Sequence, residues 1–141
     1  MKRSLRRRTP LQSRRREKKH ALPRPGVTPP MPKGWRALSA WVKHRDGGRC
    51  RRCGFLSFIG AADHLIPRRL LKGRETAFRD NLAWLCAAYC HGVKSGVVEP
   101  ALYRGDVQRF EEFLAMVAKG GPIPSRALLA RAYGRLLKLQ A

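Results

Sequence analysis

Asp63-His64-Leu65-Ile66-Pro67, Asn81-Leu82-Ala83-Trp84-Leu85-Cys86 and Cys90-His91-Gly92-Val93-Lys94 form the stretch on which the fold turns, and Cys50-Arg51-Arg52-Cys53 precedes them. Two close cysteine pairs bracket an acid-histidine dipeptide, and a second histidine follows the last cysteine directly. Thiolates hold zinc tetrahedrally at about 2.3 Å, and two ligands a few residues apart reach one ion from a tight turn or a helix start. Cys50 and Cys53 supply one such knuckle and Cys86 and Cys90 the other, giving a structural zinc site. The long separation between Cys53 and Cys86 leaves room for an inserted hairpin that carries Asp63, His64 and Asn81. A pair of disulfides, or a site in which His91 replaces Cys90, is the alternative.

The totals agree with a staple of this kind. A chain of 141 residues has room for one small domain plus extensions, and small domains bury too little apolar surface to be secure without metals or disulfides. Lys and Arg number 31 against 9 Asp and Glu, a net charge of +22. An excess of that size points to a polyanionic partner, because each phosphate contact releases condensed counterions. Nucleic acid is the expected partner, and a ribosomal or nucleoid-type protein would carry the same charge. The start of the chain lacks the apolar core of a secretory signal, and no apolar run approaches the roughly 18 to 20 residues that span a bilayer. The expectation is a soluble, cytoplasmic protein with no membrane partner, and in a reducing compartment close cysteine pairs bind zinc more readily than they form disulfides. A transit peptide is a second reading of the same basic start.

Outward from the centre, residues 1–33 combine Arg and Lys clusters with Pro23, Pro25, Pro29, Pro30 and Pro32. Like charges repel and prolines forbid a regular ladder, so a disordered basic arm is expected. It acts either as a clamp on phosphates or as a solubilising or localising tail. Residues 34–99 make the metal-bound domain. Trp35, Leu38, Trp41 and Val42 fall at helical spacing before the turn Asp46-Gly47-Gly48, and both tryptophans are read as core. His44, near the end of that helix, is read as structural. Gly54 to Ile66 suits a strand or hairpin with Phe55, Leu56, Phe58 and Ile59 inside it. Arg68 to Asp80 is a loop offering Arg68, Arg69, Lys72 and Arg74 to phosphates, while Leu70 and Leu71 fold back onto the core. Asn81 to Leu85 is a second strand, and a helix follows.

Residues 100–141 form a two-helix extension. Val107, Phe110, Phe113, Leu114 and Val117 line one helical face behind an Asp106 cap, and Ser125 caps a last helix striped by Leu128, Leu129, Ala132, Tyr133, Leu136 and Leu137. The pair is expected to cover the core; a homodimer interface is the alternative.

Taken in order, Asp63-His64, Pro67, Asn81-Leu82, Cys86 and Cys90-His91 with Lys94 resemble the HNH endonuclease signature of the ββα-metal nucleases, a family common in phages and mobile elements. The resemblance covers roughly Trp35 to Lys94. Three residues separate Cys86 from Cys90 where two are more usual, a departure that bears on the knuckle geometry. The resemblance implies an α+β fold, a zinc-stabilised ββα-metal domain with flanking helices, and hydrolysis of DNA phosphodiesters. It assigns His64 as general base, Asp63 and His91 as ligands of one catalytic divalent ion, and Asn81 as the residue that pins the loop backbone and orients the base. A carboxylate with an imidazole suits magnesium, manganese, nickel or zinc. Successive strand side chains point to opposite faces, so Asp63 and His64 share a site only where the strand is irregular. Lys94, one turn beyond His91, is available to a phosphate or to solvent. The rival reading is a non-catalytic zinc-binding nucleic-acid protein, an accessory to recombination or packaging.

Overall fold

The computed structural model describes residues 33–73, 75 and 78–141; all but the last residue of the basic arm expected over residues 1–33, and Arg74, lie outside them. The described chain is a small α+β unit. Its elements are helix α1 (Trp35–Arg45), strand β1 (Gly60–His64), strand β2 (Leu82–Cys86), helix α2 (Cys90–Val93), helix α3 (Glu99–Tyr103), helix α4 (Val107–Ala118) and helix α5 (Arg126–Gln140).

Lys43, His44 and Arg45 occupy the last turn of α1, where cations meet the negative end of the helix dipole. Asp46 then stops the helix and anchors it. Its carboxylate accepts from the Arg45 guanidinium at 2.7 and 2.9 Å and from the backbone N–H of Trp84 at 2.9 Å. The turn after α1 is therefore tied to β2 before the first cysteine is reached.

The two strands pair antiparallel, Gly60 opposite Cys86 through His64 opposite Leu82. Gly60 is required by close approach: a Cβ there would collide with the Leu85 carbonyl oxygen and stand 2.9 Å from the Trp84 indole. The expected hairpin over Gly54 to Ile66 is shorter than its composition suggested. Phe55, Phe58 and Ile59 are 75%, 74% and 78% exposed, because this segment is spent on closing the first knuckle. Arg49 bridges Leu56, and Ser57 N–H donates to Gly48 O at 2.8 Å.

Sheet alternation sorts the core into two sides. Leu38 and Val42 of α1 pack with Ala62, Leu82 and Trp84 on one face. On the other, Leu65, Ala83 and Leu85 join Phe110, Phe113, Leu114 and Val117 of α4 and Leu128, Ala132 and Leu136 of α5. The C-terminal helices thus share the core of the cysteine-bearing frame, with Leu70 and Leu71 buried against it as expected. Asp106 and Ser125 cap α4 and α5, accepting from Arg109 N and Leu128 N at 3.2 Å each.

Between α2 and α3 the backbone widens into a π turn over Lys94–Val98. Pro100 follows near the start of α3. It has no N–H to return to the preceding turn, and a widened turn is a common way for a helix to absorb such a break. Helical structure consequently runs past Pro100 to Tyr103, delivering Leu102 to the core.

Arginines lock the periphery at two places. Arg51, between the first two cysteines, donates to Val117 O at 2.9 Å and Pro122 O at 2.6 Å, joining the knuckle to the end of α4. Arg135 and Arg131 of α5 hold Glu75 of the long loop. The hydrogen bond from Arg135, with the Lys72 N–H and Arg131, brings the Glu75 carboxyl down to about 2.

Phe110→Ala should cost about 3 to 5 kcal/mol by the usual cavity penalty, and chemical denaturation should still show one transition, since α4 has no core of its own. A depressed carboxyl stabilises the fold at pH values above its ordinary value of 4.5 and loses that contribution as pH falls through about 2. The stability gap between wild type and Glu75→Gln should therefore shrink across this acid window, read by denaturation at each pH.

Candidate metal centre and histidine cluster

Four thiols converge where the two knuckles meet. The sulfurs of Cys50, Cys53, Cys86 and Cys90 all lie within 4.8 Å of one another, and Cys53 Sγ is 4.0 Å from Cys86 Sγ. A tetrahedron of sulfurs at 2.3 Å from one ion has edges of about 3.8 Å, so this set fits a single metal ion such as zinc after small adjustment. Among the described residues it is the one cluster of three or more candidate metal ligands.

Local turns place each sulfur. At the first knuckle, Gly54 N–H donates to Cys50 O and Cys50 N–H to Phe55 O, at 2.8 and 2.9 Å. Gly54 has φ +78°, a conformation that costs glycine little. At the second, Cys90 starts α2 and its N–H points at Cys86 Sγ, 3.4 Å away. Burial pushes the Cys86 thiol up, but the N–H groups of Cys90 and Tyr89 and the neighbouring thiols outweigh it and bring it to about 7. Burial raises Cys90 to about 12, with the Arg52 guanidinium pulling the other way. Several thiolates this close repel one another, so the last protons leave only when a cation takes their place.

Asp63 and His91 come together at the next level. Asp63 leaves β1 on the side of α2, and its Oδ2 stands 3.6 Å from His91 Nε2. Two donors about 2.1 Å from one ion are roughly 3.0 Å apart at right angles and about 4.2 Å apart when opposed. The observed spacing falls between these, so both groups lie within reach of a single point. Asp63 Oδ1 also accepts from His64 N–H at 2.8 Å, which fixes the carboxylate on its own strand.

Lys94 is where the sequence reading needs correction. Its side chain is 4% exposed, and its ammonium sits 3.2 Å from Asp63 Oδ1 and 3.1 Å from Glu99 Oε2. The π turn begins at Lys94 and directs it inward, so it neither meets a phosphate nor faces solvent. It compensates the buried side of Asp63 and leaves the other oxygen toward His91. That contact was not legible in the spacing, which gave only the shared helix face.

His64 closes the regular ladder opposite Leu82. The irregularity that was expected to bring it to the side of Asp63 is absent, and alternation sends the two side chains to opposite faces of the strand's end. The imidazole stacks on Trp35 of α1, with ring centroids 5.2 Å apart and planes 11° apart. Trp35 is 51% exposed, so the core role read for both tryptophans holds only for the partly buried Trp41.

Asn81 is fully buried. Its side chain accepts from Ile66 N–H at 2.7 Å and donates to Ile66 O at 3.3 Å, while its own carbonyl takes the Leu65 N–H at 2.7 Å. It therefore clamps the two residues that follow His64. Arg68, Arg69 and Lys72 are exposed on the loop beyond Pro67.

Cys86→Ala removes one sulfur and leaves three. Metal analysis by mass spectrometry should show loss of the bound ion, and circular dichroism should show loss of the cooperative fold, as in small domains whose metal binding is folding energy. A folded, metal-free wild-type protein would contradict the fit. No helix among the described residues is long and apolar enough to cross a membrane. Compared with protein-family models, curated proteins and solved structures, the chain matches none.

Proposed function

We propose that the chain is a metal-dependent endonuclease of the HNH, ββα-metal type that hydrolyses DNA phosphodiesters, with a structural zinc on Cys50, Cys53, Cys86 and Cys90. The observation that carries this reading is the approach of Asp63 Oδ2 to His91 Nε2 at 3.6 Å, beside a strand end clamped by Asn81.

In-line displacement needs a base on one side of the phosphorus and charge compensation on the side of the leaving oxygen. His64 and the Asp63–His91 pair leave opposite faces of the strand's end, so the proposed scissile phosphate lies across that end, beyond the last ladder pair of His64 with Leu82. His64, on the α1 face, takes the proton of the attacking water as general base. Stacking on Trp35 restricts the ring's rotation. Asn81 holds Leu65 and Ile66, so the backbone that carries His64 does not swing. Asp63 and His91 form the cation-binding side. They would hold a divalent ion, magnesium or a relative, and an ion there would supply charge compensation for the scissile phosphate and departing oxygen. Lys94 keeps one Asp63 oxygen occupied and so fixes which oxygen is offered. The +22 charge favours a polyanionic substrate by counterion release.

One observation favours a second reading, a zinc-stabilised nucleic-acid-binding protein without catalysis. The ammonium of Lys94 already compensates Asp63, and its charge opposes a dication at the same carboxylate.

Nicking of supercoiled plasmid in magnesium or manganese separates the two. Wild type should nick, and His64→Ala should fall by about 100-fold or more, the usual worth of a general base. Equal products from both proteins would remove the enzyme reading.

A further inference from the structure

Helix α5, which the sequence assigns to the core, also presents a cationic face. Arg131, Arg135 and Lys138 line one side of a cleft of about 530 Å³ whose opposite side carries Arg69 and Lys72. These residues lie some sixty positions apart in the chain and meet because Leu70 and Leu71 are buried against the core shared with α5.

The cleft is partly organised in advance. Glu75 holds Arg131 through Nε at 2.9 Å and also engages Arg135, which donates to Leu70 O at 2.9 Å. Arg69 lies over the Tyr103 ring, 5.6 Å from its centroid. One carboxylate thus fixes two guanidinium groups, while Lys72 and Lys138 extend from exposed positions. Five cations line the cleft, and Glu75 offsets only two of them, so they repel one another. An anionic ligand with closely spaced charges relieves that repulsion, and a chain of phosphates has such spacing.

We infer that this cleft binds the phosphate backbone of DNA, so that α5 and the loop after β1 grip a segment of duplex. The inference rests on DNA being the partner of the proposed nuclease. It assigns Arg131, Arg135 and Lys138 to binding and gives Glu75 a positioning role.

The test measures duplex DNA binding by the full-length His64→Ala protein, by fluorescence anisotropy across a salt series. Lys72→Ala/Lys138→Ala removes two exposed cleft charges without touching the Glu75 contacts. Arg104→Ala/Arg109→Ala removes two exposed charges elsewhere and serves as control. The slope of log affinity against log salt should become shallower by about 1.8 in the cleft pair, roughly 0.9 for each lost phosphate contact, and should change far less in the control. Equal changes in both pairs, or none in the cleft pair, would overturn the cleft while leaving DNA as the partner. No binding by the parent protein would overturn both. Calorimetry with tripolyphosphate distinguishes the source of the phosphates: tighter cleft-dependent binding of tripolyphosphate than of DNA would overturn the assignment to a nucleic-acid backbone.

Discussion

Four sulfurs drawn toward one point are the constraint from which the rest of the arrangement follows. The first knuckle sits after α1 and the second begins α2, so a cation shared between them cross-links the two ends of the inserted hairpin. Arg51 carries the link further by donating to Val117 O and Pro122 O at the end of α4. Without a cation the four thiols, with burial pushing Cys53 and Cys90 up, have only weak contacts to hold the knuckles together. With it, the strand bearing Asp63 and the helix bearing His91 have little freedom to part.

Charge compensation around Asp63 forms the second tier. In a protein with 31 Lys and Arg and 9 Asp and Glu, a half-buried carboxylate is a scarce resource, and this one is shared among three groups. Lys94 takes one oxygen from the protein's interior, the His64 N–H reinforces it, and His91 stands near the other. Glu99 occupies the far side of Lys94, so the ammonium is neutralised from two directions. The buried lysine thereby aims the carboxylate and leaves its second oxygen toward His91. The same economy appears at Glu75, where one acid fixes two arginines of α5.

Much of this was legible in the sequence because the signals were local. Cysteine spacing marked the knuckles, Asp106 and Ser125 marked two helix starts, and the apolar faces of α4 and α5 were periodic enough to announce burial. The pairing of Asp63 with His91 was implied by motif resemblance, and the two do stand close together. What escaped the reading depended on three-dimensional closure. Phe55, Phe58 and Ile59 were read as part of a strand or hairpin, yet the knuckle's turn consumes that segment and leaves them exposed. Lys94 looked like a surface residue because nothing in its spacing reveals a π turn. Trp35 looked like core, and its partner is the imidazole ring of a residue 29 positions away, beyond the reach of any helical period. The cleft beside α5 was hidden for the same reason, since two of its five cations belong to a loop read separately.

The decisive question is whether Asp63 and His91 hold a second cation independently of the sulfur site. Electron paramagnetic resonance of added manganese on zinc-loaded protein answers it directly. One manganese bound per chain in the wild type, lost in His91→Ala and in Asp63→Asn while zinc is retained, is the expected outcome. Manganese binding that is absent from the wild type, or unchanged in both variants, would contradict it.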